Sequence, residues 1–128
     1  MKSKYTVAFA MFTSFALGAA AVQGLHAQAK PPAYSVAEIT VTNQDGYNKE
    51  YVAPVVKAIQ EGGGKFLVRN GRTISFEGAA PAPRVVLIQW ENLDKAQALQ
   101  NSSTYKDAQK IGEKYATFRI FAVEGLAQ

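Results

Sequence analysis

A run of three glycines, Gly62–Gly64, leads into Lys65-Phe66-Leu67-Val68-Arg69 and then Asn70-Gly71-Arg72, and it constrains this chain more than any other stretch. Glycine takes positive φ at no steric cost and caps helix C-termini, so the run ends whatever helix precedes it. Lys65 to Arg69 then alternates, with Phe66 and Val68 on one face and Lys65, Leu67 and Arg69 on the other. Asn70-Gly71 is a strong hairpin signal. Helix, stop, strand and turn follow in that order. A phosphate-binding loop has the opposite context, because it follows a strand and opens a helix. The glycines therefore predict a hinge and not a nucleotide site.

The elements on either side fall into place around that hinge. Tyr34 to Thr42 is rich in β-branched residues and predicts the first strand. Ala37, Ile39 and Val41 make its apolar face, and Tyr34, Val36, Glu38 and Thr40 a mixed one. Asn43 is an N-cap for a helix that runs to about Glu61, with Tyr47, Tyr51, Val55, Ala58 and Ile59 on one stripe. Pro54 inside this pattern predicts a kink or a split. Beyond the turn, Arg72 to Glu77 is expected to return as a hairpin partner with Ile74 and Phe76 on one face. Arg84 to Glu91 carries four consecutive apolar residues, Val85 to Ile88, and reads as a central strand. Asn92 caps a short helix with Leu93, Ala96 and Leu99 inward. Asn101-Ser102-Ser103 breaks it and caps a second piece, where Tyr105, Ala108, Ile111 and Tyr115 share a face. Thr117 to Glu124 is the last strand, ended by Gly125.

This order, β-α-β-β-α-β with one extra hairpin strand, predicts an α+β ferredoxin-like fold, an antiparallel sheet covered by helices on one face. The second face would carry Val36, Leu67, Val85, Leu87, Phe121 and Val123. So much exposed apolar surface is unusual for a monomer, and a homodimer with facing sheets is the expected remedy.

The first 29 residues read as a secretory signal peptide: basic Lys2 and Lys4, an apolar run from Val7 to Val22, and an Ala27-Gln28-Ala29 cleavage signal. The run is shorter than the roughly 20 residues a spanning helix needs. The expectation is export across the inner membrane, a periplasmic location, and no stable membrane span after cleavage. Cleavage leaves a single domain, 30–128, of 99 residues out of the 128. His26, Met1 and Met11 all lie in the removed part, and the chain has no Cys. A domain without His, Cys or Met has no Cys nucleophile, no His base, no structural zinc site of the usual kind and no common haem ligand. No metal and no cofactor is expected. Of the 14 Lys and Arg, 12 remain against 10 Asp and Glu, with no basic block, so no nucleic-acid partner is expected.

The spacing Tyr47-x-x-x-Tyr51, the run Gly62 to Arg69, the strand Arg84-Val85-Val86-Leu87-Ile88-Gln89-Trp90, the segment Asn101-Ser102-Ser103-Thr104-Tyr105 and the closing Val123-Glu124-Gly125 together resemble domain-of-unknown-function family 1330. The resemblance covers residues 34–125. It implies the dimeric α/β-barrel superfamily, hence the fold and a dimer, and brings no established reaction. Asn101-Ser102-Ser103 stands where members usually carry a Ser-Pro pair.

The candidate binding residues are Glu38, Arg69, Gln89, Trp90 and Arg119. Alternation aims Glu38, Arg69, Gln89 and Arg119 at the mixed sheet face, where an Arg could hold a carboxylate and a buried Glu could act as a base. Trp90 could wall a cavity. A structural Glu–Arg network across a dimer interface accounts for the same charges. The expected function is thus an exported homodimer that binds a small polar or anionic molecule. A cofactor-free isomerase or monooxygenase is one alternative, and a structural periplasmic dimer another. No catalytic residue can be assigned from the sequence.

Overall fold

Asn43 ends the first strand and starts the first helix in a single step. In the computed structural model, which describes residues 30–127, its side chain accepts the Gly46 N–H at 3.0 Å. The expected signal peptide lies outside the described residues. Strand β1 spans Ala33–Val41, and the helical segment after it has three consecutive parts. These are α1 (Gln44–Gly46), a π-helical turn (Tyr47–Tyr51) and α2 (Val52–Glu61). Then come β2 (Lys65–Arg69), β3 (Arg84–Trp90), α3 (Leu93–Asn101), α4 (Ser103–Gly112) and β4 (Ala116–Glu124).

Pro54 accounts for the division of the first helix. It has no N–H to return to the Glu50 carbonyl, and its ring crowds that carbonyl. The helix widens in the turn just before it, where Val52 N–H donates to the Tyr47 carbonyl five residues back. The expected break takes this form, and the chain stays helical through it. At the far end the three glycines have separate roles. Gly62 is the C-cap. Gly63 adopts φ 94. Gly64 N–H reaches the Ile59 carbonyl at 2.9 Å while Gly63 N–H reaches that of Gln60 at 3.1 Å. Together they form a Schellman motif. Asn92 accepts the Lys95 N–H and Ser102 accepts the Tyr105 N–H, so α3 and α4 start at the caps expected for them.

The four strands form one antiparallel sheet in the order β2-β3-β1-β4. With the helices following β1 and β3, this is the ferredoxin-like topology. The extra hairpin strand expected over Arg72–Glu77 does not form. The chain leaves the sheet after Arg69 through Asn70 in a left-handed conformation, φ 60, and residues 71–83 have no strand. A return strand would lie on the free edge of β2, yet the chain must come back to the opposite edge, because β2 pairs with β3. Ile74 and Phe76 are left 69% and 90% exposed.

The helices cover one face of the sheet, called inner below. Ala33, Ile39, Ile88 and Trp90 from the strands meet Tyr51, Val55, Ala58 and Ile59 from the first helical segment and Ala96, Leu99, Tyr105 and Ala108 from α3 and α4. Burying an aliphatic or aromatic side chain of this size contributes roughly 1.5–3 kcal/mol, so this layer carries most of the stability. The outer face has no such cover. Phe121 and Val123 are exposed there, and Val36, Val85 and Leu87 are only partly buried. β3 is central, as its apolar run predicts, but within the chain only its inner residues Ile88 and Trp90 are fully buried.

Gly64 is a tight joint in this packing. A Cβ there would lie 2.7 Å from Ile59 Cγ2 and 2.9 Å from both Ile88 Cγ2 and the Trp90 ring. Those atoms are buried and cannot retreat. Gly64→Ala is expected to lower stability by about 1–3 kcal/mol, read as a lower urea midpoint at unchanged slope.

Candidate functional site

The inner layer is not filled to the end. Between the sheet and the first helical segment lies a cavity of about 90 Å³. Val52, Val55, Val56 and Ile59 wall it from the helix, and Ile39, Val86, Ile88 and Phe118 wall it from the sheet. That volume exceeds what one water needs, and so apolar a wall offers water few partners. The polar lining is confined to a few residues. Arg69, Asn70, Arg84 and Tyr47 stand together, and Tyr51, Gln100 and Tyr105 line it elsewhere. No Asp, Glu, His or Lys is among its described lining residues.

The two arginines come from strand ends that flank one loop. Arg84 opens β3 and pairs in register with Ile39, on the inner face. Its guanidinium lies 4.9 Å from the centre of the Tyr47 ring. Arg69 closes β2, its guanidinium 5.1 Å from the centre of the Phe66 ring. Such cation–π contacts contribute roughly 0.5–1 kcal/mol at exposed positions and hold both side chains beside the cavity. Burial pushes the Tyr47 phenol above its ordinary range, and the charges of Arg84 and Arg69 pull it part of the way back. Burial likewise raises Tyr51 and Tyr105. All three phenols stay protonated at neutral pH. The Tyr51 hydroxyl donates to Gln109 Oε1 at 2.9 Å, and its ring packs 5.5 Å from Phe118 and 5.1 Å from Tyr47, centre to centre. The site therefore offers two fixed positive charges and neutral hydroxyls beside an apolar chamber, without a base.

The five residues singled out in the sequence divide between the two faces. Glu38, Gln89 and Arg119 are on the outer face. Glu38 stands opposite Arg119 in the β1–β4 register, and the two form an ion pair. Glu38 also accepts the Ala82 N–H at 3.0 Å. Gln89 is paired with Tyr34 and Lys65. Trp90 is on the inner face, 2% exposed, and its Nε1–H donates to Ser35 Oγ at 3.0 Å. It supports the core behind Ser35, itself a lining residue.

Arg69 moves to the inner face because β2 contains a β-bulge. Phe66 pairs with Ile88, yet Val68 pairs with Leu87 and Arg69 with Val86. Two steps along β2 match one step along β3, which inverts the alternation from Val68 onward. The expectation that Arg69 shares a face with Glu38 fails for that reason. Arg84 was not among the sequence candidates. The signal for it was present, since Arg84, Val86, Ile88 and Trp90 alternate along one strand face.

The sequence matches the family "Domain of unknown function (DUF1330)" over residues 32–126. No curated protein matches it. Among solved structures it is similar to a protein of unknown function from Rhodopseudomonas palustris, with 12% identity and a TM-score of 0.61, over 76% of this chain and 84% of that one. It is also similar to SnoaB, a cofactor-independent oxygenase from Streptomyces nogalater, with 12% identity and a TM-score of 0.55, over 77% of this chain and 96% of that one. A third, from Pseudomonas aeruginosa, shares 16% identity at a TM-score of 0.50, over 78% and 99%. At these identities the likeness establishes the fold.

Glu38 gives the site region a pH signature. The Ala82 N–H and then the Arg119 guanidinium hold its carboxyl below the ordinary glutamate range. A depressed carboxylate stabilises the fold above its unfolded pKa, and that contribution is lost as pH falls through the lower folded value. Glu38→Gln is therefore expected to be less stable than wild type at pH 7. The gap should close as pH drops below about 4.5, followed by urea midpoints across the acid range.

Proposed function

The chain belongs to the DUF1330 family, and we propose that it is an exported, homodimeric domain that binds a small molecule in the chamber between sheet and helices. The observation that carries this reading is the chamber itself. A domain of this size that served only as a structural dimer would gain by filling it, because a void lined by aliphatic groups costs packing energy. Here it is kept open beside two arginines.

The homodimer rests on the outer sheet face. Val36, Leu67, Val85, Leu87, Phe121 and Val123 make that face apolar, and a second copy turned about a two-fold axis offers a matching surface. Val68 joins them, because the bulge turns it outward. Export rests on the leader pattern of the first 29 residues.

A second reading is a cofactor-free oxygenase or isomerase. The likeness to SnoaB in fold favours it. The chamber restricts what such an enzyme could do. It holds no carboxylate or imidazole to take a proton, and Glu38 is on the other side of the sheet, tied and ionised. Any acceleration would come from Arg69 and Arg84 stabilising an anionic form of the substrate. Binding without turnover fits the lining better.

Native mass spectrometry of protein recovered from the periplasm tests the main reading. The expected result is a dimer of leaderless chains carrying a small molecule. Phe121→Lys is expected to give monomers in sedimentation at micromolar concentration. Val56→Phe, which fills the chamber wall, is expected to lose the retained molecule. A monomeric wild type removes the dimer, and a wild type that never carries a ligand counts against binding.

A further inference from the structure

Taking the chamber as the binding site, and resting on that reading, we infer that its ligand is a small monocarboxylate with a compact apolar body. The first reason is uncompensated charge. The ion pairs among the described residues include Lys49 with Asp45, Lys57 with Glu61 and Arg119 with Glu38. Arg69 and Arg84 take part in none of these. Each guanidinium instead rests on an aromatic ring that lines the chamber. The Arg84 guanidinium also donates to the Tyr47 hydroxyl, and the remaining N–H donors of the two forks stay available to an acceptor. Guanidinium groups are the side chains best matched to a carboxylate, through two parallel hydrogen bonds.

The second reason is convergence. Arg84 stacks 4.9 Å from the centre of the Tyr47 ring, and Arg69 lines the same chamber as both, although the two arginines arrive from different strands. Arg69 does so only because the bulge in β2 turns it inward. A group beside the Tyr47 hydroxyl would thus meet two cations and a neutral donor at once, with the Asn70 amide also among the lining residues. A cation would be repelled there. A neutral apolar molecule would leave the donors without a partner.

The third reason is the wall. Away from the arginines, valine, isoleucine and phenylalanine alternate with the neutral hydroxyls and amide of Ser35, Tyr51, Gln100 and Tyr105, so a second charge on the body of the ligand would be buried without a counter-charge, which is costly. Dicarboxylates are disfavoured on this ground. At about 90 Å³, below the roughly 150 Å³ of a cavity that takes benzene, the space suits a branched short-chain body.

Calorimetric titration of the leaderless chain recovered from the periplasm decides the matter. The probes are 2-methylpropanoate and 3-methylbutanoate, each beside its neutral alcohol. The acids are expected to bind at least about tenfold tighter than the alcohols. Arg69→Gln and Arg84→Gln should each weaken acid binding by about tenfold and leave the alcohols within about twofold. Arg69 is exposed, so its variant folds even if Arg84→Gln does not. Equal affinity for acid and alcohol overturns the carboxylate assignment, as does an acid preference that survives loss of both arginines. In either case the chamber reading stands if Val56→Phe abolishes the binding seen. Acid binding that persists in Val56→Phe, or no binding of any probe, overturns both.

Discussion

Helices cover only one face of this four-stranded sheet, and the rest of the structure follows from that asymmetry. The hydrophobic effect is proportional to the apolar area removed from water, and here the removal is confined to one layer. Every large side chain in the buried cluster belongs to the inner sheet face or to the helices against it. The close joints are in the same layer. Gly112 lets the Tyr51 ring approach α4, and Gly64 lets the hinge sit against Ile88 and Trp90. The outer face retains an apolar surface that none of the described helices covers. One sheet therefore separates a tight core with an internal chamber from a broad surface suited to self-association.

The polar groups divide in the same way, and their chemistry differs. On the outer face Glu38 and Arg119 neutralise each other, and a backbone N–H ties the carboxylate further. An exposed pair of this kind contributes little to stability, and a carboxylate so held is a poor proton acceptor. On the inner face Arg69 and Arg84 have aromatic partners and no carboxylate. Charge is balanced where the sheet faces outward and left unbalanced beside the chamber. That difference separates the outer ion pair from the two inner arginines without reference to any relative.

Much of the fold was legible because it rests on local chemistry. Asn43, Asn92 and Ser102 cap the helices they were expected to cap, and Gly62–Gly64 close the first one. Strand faces followed from alternation in β1, β3 and β4. Two features were not legible, for different reasons. The bulge has no glycine to announce it, since Leu67 is the residue inserted between Phe66 and Val68. Only the pairing partner, distant in sequence, reveals it, and with it the true face of Arg69. Arg72 to Glu77 alternates like a strand, but a strand also needs an edge to pair with, and the return to β3 denies it one. Arg84 was readable in principle. A charge at the first residue of a strand is ordinarily solvated, and only the fold brings this one beside Arg69 and Tyr47.

The loop from Asn70 to Pro83 joins these observations into one arrangement. Its two ends are the two arginine positions, Arg69 before it and Arg84 after it. Asn70 N–H fastens one end to the Val85 carbonyl at 3.0 Å. Near the other end Ala82 N–H is held by Glu38 from the outer face. The ion pair that keeps Glu38 charged thereby fixes the last residues before β3, which carries Arg84 inward in register with Ile39. A carboxylate on one side of the sheet thus helps to set the position of a guanidinium on the other, through the backbone between them. This gives the Glu38–Arg119 pair a role that its exposure alone would not suggest. It is remote from the chamber, yet it anchors the loop that ends at Arg84 beside the chamber.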